Sequence, residues 1–520
     1  MLQSIGVENY RTFREPFTLE LAPITILLGA NSSGKSSITR LPPLIAQSLA
    51  ERTSAPILWV SEVIDFGSFN ENVHNRQQDG IIHLTLSGRL PAPATRISVL
   101  GAANWAASNF KYEIEIGSNR NNETILRKIN IDIYGESVEM SVTNNVVSSI
   151  KFRGKNYKEL AKGITIYLPD GMFPAPFAVA RDADGRIKIA DRDAIRKESI
   201  KLLRSYCHSN TSDFSLSKVT NFPFISNFED TFSRLKSRST MVPTLFKRFD
   251  DISQSDAERL WLILFVSSLP ALMPALQSAV AGDISVGGYL APIRAAAQRY
   301  YRRREIAVNA IDPTGENLAM YLNSLQYFEL DRINKDFQNF FGHEVSVQKS
   351  EGHISLRVGS GGEHNDNLAD VGFGFSQLIP VIAQVHAAAK AAGLSNTRKN
   401  EAFAPVIAVE QPELHLHPAF QAKLGAYFAD VAANGRNSKK FRFLIETHSE
   451  PLVNEIASLV GKGEIDPSMV RIYLFDRNLS ENISRVLEVS VTKDGQLPSW
   501  PFGFFSSGKI SNLVQPAKWG

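Results

Sequence analysis

The chain has few of the features that identify a protein by composition. Its 520 residues include one cysteine, Cys207, which excludes a disulfide framework and leads us to expect a reducing, cytoplasmic setting. The formal net charge is only +3, so no overall basic field announces nucleic acid and any such surface has to be local. No heptad register lasts three repeats, which excludes a long coiled-coil arm, and neither an internal repeat nor a low-complexity tract is present. No secretory signal is seen: Met1-Leu2-Gln3-Ser4 leads straight into a strand-like segment. One uncharged run, Leu260 to Gly282, is long enough to cross a bilayer, but Pro270, Pro274, Gln277 and three serines interrupt it. The expectation is a buried helix broken at Pro270, with no membrane association.

What the sequence does contain is phosphate chemistry. Gly29-Ala30-Asn31-Ser32-Ser33-Gly34-Lys35-Ser36 has the spacing G-x-x-x-x-G-K-S, between the apolar run Ile24–Leu28 and a helix expected to begin at Ser36-Ser37-Ile38-Thr39. Glycines at both ends let the backbone curl so that successive N–H groups point at a phosphate. Lys35 reaches the β- and γ-phosphates, and the Ser36 hydroxyl can ligate Mg²⁺. The helix N-terminus is expected to add its positive end to the same anion. Gly29, Asn31, Ser32, Ser33, Gly34, Lys35, Ser36 and Ser37 are therefore the predicted binding loop for ATP with Mg²⁺.

Related chemistry returns near residue 410. Val406-Ile407-Ala408-Val409 is a short β-branched run ending in Glu410, the form of a buried parallel strand whose tip holds an acid. Such a carboxylate can hold magnesium opposite Ser36. A second run, Phe441–Ile445, ends in Glu446-Thr447-His448-Ser449, which puts a polar histidine where it can sense the γ-phosphate. His415-x-His417 reads as half a metal site or as a loop turning into a helix, and no third ligand is evident nearby. Asp370-Val371-Gly372-Phe373-Gly374-Phe375-Ser376-Gln377 builds a further helix entry with exposed amides.

Together these segments resemble the ABC-type heads of bacterial AAA-family ATPases, which include relatives of RecF, coiled-coil break-repair ATPases and overcoming-lysogenization-defect proteins. Asn9-Tyr10-Arg11-Thr12-Phe13 is similar to the short motif that opens those heads. Gln411-Pro412-Glu413-Leu414-His415-Leu416-His417-Pro418 and Trp500-Pro501-Phe502-Gly503-Phe504-Phe505 resemble a subgroup that includes the ATPase subunit of Septu and retron-associated phage-defence systems. The resemblance implies Arg11 near the nucleotide and Glu410 as the metal-binding acid beside Ser36. It implies Gly374, Ser376 and Gln377 as a signature capping the γ-phosphate of a facing protomer, and His448 as a switch. Gln77 and Gln78 are candidates for the glutamine loop. Two departures stand out: the signature lacks the leucine-serine-glycine-glycine order, and the usual catalytic glutamate is Gln411. Either hydrolysis is slow, or Glu413 takes over as base with His448 positioning the water.

The implied fold class is α/β: an ABC-type ATPase head with a mainly parallel core sheet, inserted antiparallel strands and a helical subdomain. The expected segments are 1–80 with the phosphate loop, 81–170 antiparallel, 171–350 mainly helical, and 351–520 with signature, acidic strand, switch histidine and terminal Trp-Pro motif. Arg234–Arg248, and the cluster from Ala291-Pro292-Ile293-Arg294 to Arg299–Arg304, read first as solvated helix faces, with DNA or RNA contact as the alternative. No Asp-x-Asp pair or cysteine–histidine cluster marks a second nuclease centre. The expected function is an ATPase that forms a homodimer or higher homo-oligomer around ATP. It would regulate a separate effector, an HNH-type nuclease, in anti-phage defence. The alternatives are a RecF-like DNA-repair ATPase without a toxic partner and, third, a transporter subunit. Replacing Lys35 by Ala removes a charge-assisted contact worth roughly 1.5–3 kcal/mol. Calorimetry should find ATP affinity about ten- to a hundredfold lower; unchanged affinity would refute the loop assignment.

Overall fold

The computed structural model describes residues 1–498 except 52, 78, 92–103, 106, 158–159, 161–163, 182–186, 190–193, 221–223, 305–307, 361–364, 395–403 and 438. Gln78 and the Trp500–Phe505 motif therefore lie outside the described residues. The chain divides into two compact units. One comprises Met1–Leu19, Leu44–Ser61 and Asp65–Gly282, and the other Glu20–Pro43, Glu62–Ile64 and Asp283–Gly520. This division cuts across the expected segments, because the phosphate loop groups with the C-terminal half.

The first unit is built on an eleven-stranded antiparallel sheet. Its strands alternate as their sequence dictates: in Ile82–Leu90 every second side chain is buried. The outward face carries cross-strand ion pairs, among them Lys128–Glu115 at 2.7 Å and Lys151–Glu139 at 2.8 Å. Helices Phe228–Ser239 and Pro243–Arg248 carry the basic stretch, with Arg234 paired to Asp230 and Lys236 to Asp250.

The uncharged run forms one helix, Gln254–Ile284, that continues through Pro270 and Pro274 instead of breaking. Ser267 and Ser268 donate their hydroxyls to Ile263 O and Phe265 O in the turn before Pro270, where a proline opens the backbone ladder. By length and composition this helix could cross a membrane, but most of its apolar surface is buried. Trp261 stacks between Phe152 and Phe265, with ring centroids 4.6 and 5.1 Å away.

The second unit holds a six-stranded sheet. Its order is Tyr289–Leu290, Val406–Glu410, Arg442–Glu446, Ile24–Gly29, Val470–Asn478 and Ile483–Val489. The first five run parallel and the last is antiparallel. The expected mainly parallel sheet thus describes this unit alone, since the larger sheet of the chain is antiparallel. Helices Phe373–Leu394, Pro418–Asn434 and Glu450–Gly461 contribute buried apolar side chains to the same core as these strands. Phosphate loop and acid-tipped strands therefore share one edge, where strand C-termini converge.

Trp261 fills the core of the first unit and donates its indole N–H to Ser226 O. Trp261→Ala should destabilise by about 3–5 kcal/mol. Chemical denaturation monitored by circular dichroism would measure this, and an unchanged midpoint would contradict the packing.

Candidate functional site

The phosphate loop is shaped by two glycines that no other residue could replace cheaply. Gly29 has φ +149°, and a Cβ there would lie 2.2 Å from the carbonyl oxygen of Phe475. Gly34 has φ +102° and caps the following helix. Asn31 and Ser32 are exposed, whereas Ser33 is buried. The neighbouring hairpin ties the loop down: Arg477 donates to Ser32 O at 2.9 Å and Ser484 Oγ to Ser33 O at 2.7 Å. The helix is shorter than expected, only Lys35–Thr39, with Arg40 as its cap before a second helix, Leu41–Ala50. Pro42 and Pro43 lack the N–H groups that would extend the first helix, so the loop amides carry more of the anion site than a helix dipole does.

Lys35 Nζ donates to Gly29 O at 2.9 Å and Ala30 O at 2.8 Å, so the loop closes on its own lysine. Burial pushes the Lys35 ammonium below its ordinary pKa, against the charges of Glu446 and Glu413. These three groups are therefore electrostatic neighbours.

The two strand-tip acids sit differently from the expectation. Strand Arg442–Glu446 lies directly beside the loop strand, and Val406–Glu410 lies one place further out. Ser36 Oγ donates to Glu446 Oε1 at 2.8 Å, and Thr39 Oγ1 to Glu446 Oε2 at 3.0 Å. Glu410, the expected metal acid, is engaged elsewhere. Arg40 grips it with Nε at 2.5 Å and Nη2 at 2.7 Å, and the Tyr289 hydroxyl donates to Oε1 at 2.8 Å. Sequence reasoning quoted Glu446 without a role and passed over Thr39, Arg40 and Tyr289.

Burial, then the charge of Glu410, pushes Glu446 up to about 7, against the Ser36 hydrogen bond, the Lys35 charge and the Thr39 hydrogen bond. The Glu410 hydrogen bond holds Arg40 above its usual value, and burial raises Tyr289.

Gln411 follows Glu410 with φ +42°, a left-handed conformation unusual for a side chain of this kind. Its N–H donates to Glu446 O at 2.7 Å, which locks the turn. Glu413 is buried, accepts the His448 backbone N–H on Oε1 at 2.7 Å, and leaves Oε2 without a hydrogen bond. Burial raises its pKa despite that bond. His448 has its Nε2 buried without a partner, and burial followed by the Lys35 charge lowers its pKa, so the ring is neutral near pH 7. His417 caps helix Pro418–Asn434, accepting the Ala419 N–H on Nδ1 at 3.2 Å. That matches the loop-to-helix alternative for His415-x-His417.

The signature segment faces inward. Ser376 and Gln377 are buried: Ser376 Oγ donates to Phe373 O, and Gln377 Oε1 accepts from Arg294 Nη1 at 3.3 Å. This departs from side chains offered to a facing phosphate. Gly374 is partly open, and Phe373, 60% exposed, lies against the His415 ring. Arg294 was expected on a solvated helix face, yet its segment is irregular and its side chain only 4% exposed. Its Nη2 donates to Glu410 O at 3.1 Å, and burial lowers its pKa to about 10. Arg299 in the same cluster pairs with Asp370 at 2.5 Å.

Arg11 belongs to the first unit, where Nε donates to Asn72 Oδ1 at 2.9 Å and the guanidinium lies over the Phe66 ring. Gln77 is exposed in that unit.

The AAA ATPase domain family matches residues 1–453. Solved structures of SMC head domains match at low identity. The Smc head of Pyrococcus furiosus, with an extended coiled coil and bound to the C-terminal domain of ScpA, is 10% identical. The match covers 94% of this chain and 96% of that one, with a TM-score of 0.33. The SMC head domain from Thermotoga maritima is 9% identical over 94% of this chain and 99% of that one, with the same TM-score. At that score the likeness is distant, and the site stands on its own geometry. No curated protein matches the chain.

A carboxyl whose folded pKa is raised costs stability once it ionises. The cost is absent well below the model-peptide value of 4.5 and complete above about 7. In metal-free buffer, Glu446→Gln should therefore gain on wild type by roughly 2 kcal/mol between pH 5 and pH 8. Urea titrations at the two pH values test this, and a stability gap independent of pH would contradict it.

Proposed function

The chain belongs to the AAA ATPase domain family, and from that premise we propose that it binds ATP with Mg²⁺, hydrolyses it slowly and dimerises around it. The observation that carries this reading is the convergence, in one unit, of Lys35 and Ser36 with two strand-tip acids and a neutral histidine. Lys35 would exchange Gly29 O and Ala30 O for β- and γ-phosphate oxygens, releasing the loop amides to the same anion. The residues fit the metal: Ser36 Oγ and two buried carboxylates form a hard oxygen donor set. When bound, the ion bridges phosphate oxygens and neutralises their charge.

His448 offers its unpartnered Nε2, and Glu413 holds the His448 backbone in place. Gln411, a neutral amide, can orient water but cannot take its proton, and loss of general-base assistance typically costs 10²–10⁴-fold. Phe373 and Gly374 present the outer end of the signature helix, the surface a second protomer would meet in an isologous dimer. Regulation of a separate effector, a nuclease of an anti-phage system, rests on the sequence resemblance of residues 411–418 and 500–505.

Light scattering should show ATP with Mg²⁺ raising the mass to a dimer, and Gly374→Asp, which places charge at that end, should weaken this. Wild-type phosphate release should fall below about 1 s⁻¹. Gln411→Glu should raise it, while Glu413→Gln, which keeps an acceptor for the His448 N–H, should change it little. Loss of hydrolysis in Glu413→Gln with ATP binding intact would instead make Glu413 the base.

A further inference from the structure

The strand order assigns the two acids different work. We propose that Glu446, with Ser36, supplies the protein ligands of the ATP-bound Mg²⁺, and that Glu410 is a structural clamp for Arg40. This rests on the ATP·Mg²⁺ reading above and names the metal-holding carboxylate within it.

Three observations carry the assignment. Glu446 stands at the tip of the strand next to the loop strand, paired in register with Leu27, whereas Glu410 pairs with Glu446 one strand further away. Ser36 Oγ and Glu446 Oε1 are 2.8 Å apart. Neighbouring ligands on octahedral magnesium, each about 2.1 Å from the ion, are about 3 Å apart. A cation can therefore replace the shared proton while the two oxygens barely move, the Ser36 hydroxyl turning a lone pair inward. Thr39 meanwhile fixes the orientation of Glu446 through Oε2.

Glu410 has no such freedom. Its carboxylate takes two hydrogen bonds from Arg40 and one from Tyr289, and it is 1% exposed. Ligation through Glu410 would break a two-point guanidinium pair and leave the Arg40 charge without its partner, a cost that Glu446 does not incur. The clamp also fixes the residue that caps the loop helix. Glu410 thereby acts on the phosphate loop through Arg40.

The test measures ATP affinity by calorimetry in EDTA and in excess Mn²⁺, whose ratio gives the coupling between metal and nucleotide. Wild type should bind ATP at least tenfold more tightly with Mn²⁺. In Glu446→Gln the coupling should collapse toward one while ATP still binds in EDTA. Glu446→Asp, which withdraws the carboxylate without removing its charge, should reduce it in the same direction. The double variant R40Q/E410Q removes the clamp without stranding a guanidinium; it should keep the coupling within about threefold of wild type and unfold at lower temperature. Coupling lost in R40Q/E410Q, alone or together with Glu446→Gln, overturns the assignment, as does coupling retained in Glu446→Gln. A wild type that binds no ATP in either buffer overturns the nucleotide reading itself.

Discussion

Two carboxylates face each other on adjacent parallel strands, and the second unit is arranged around keeping them apart in function. Glu410 and Glu446 are paired in register at the buried edge where the strands end. Like charges in a poorly solvated place repel strongly, and neither can be left bare. Each therefore has its own cation and hydroxyls: Arg40 and Tyr289 for Glu410; Lys35, Ser36 and Thr39 for Glu446. Lys35 through Arg40 form one short turn and its cap, so a single helical turn serves both acids and the phosphate loop. Incoming phosphate draws Lys35 away from this array, and an incoming cation replaces the charge that Glu446 then lacks. ATP and metal are thus coupled through a carboxylate that is uncomfortable without either.

The same edge connects to the signature helix. Arg294, buried beside Glu413 and Glu410, reaches Gln377 on one side and the Glu410 carbonyl on the other. That carbonyl belongs to the peptide joining Glu410 to Gln411, whose strained backbone sets where the Gln411 amide points. A shift of the signature helix would therefore be felt at the water-orienting position through one side chain and two hydrogen bonds.

The site was legible where it is contiguous. The phosphate loop needs only local chain geometry, and the alternation of Ile82–Leu90 fixes a half-buried strand without knowledge of its neighbours. What depends on strand order was not legible. Glu410 and Glu446 both close short apolar runs, and nothing local says that the second lies beside the loop strand. Arg294 was lost in a cluster of cations because composition does not distinguish a buried guanidinium from solvated ones. The signal available was Pro292 nearby, which argues against a regular helix. Pro270 misled in the other direction: helix breaking is a local penalty, and Ser267 and Ser268 with a surrounding apolar core absorb it.

Why a neutral residue follows the acid can be argued from charge alone. A glutamate at position 411 would place a third carboxyl at an edge where Glu446 is already pushed to about 7 and Glu413 is raised by burial. The cations at hand are committed: Arg40 to Glu410, Arg294 to Gln377 and a carbonyl, and Lys35 to the loop until phosphate arrives. A carboxylate there would be paired only after ATP and metal had bound, and would disfavour the empty state. Glutamine keeps the hydrogen-bonding reach at no electrostatic cost, and gives up the general base. The chemistry that suits such a site is prolonged occupancy by ATP, with turnover set by how often water is correctly held and not by a strong base.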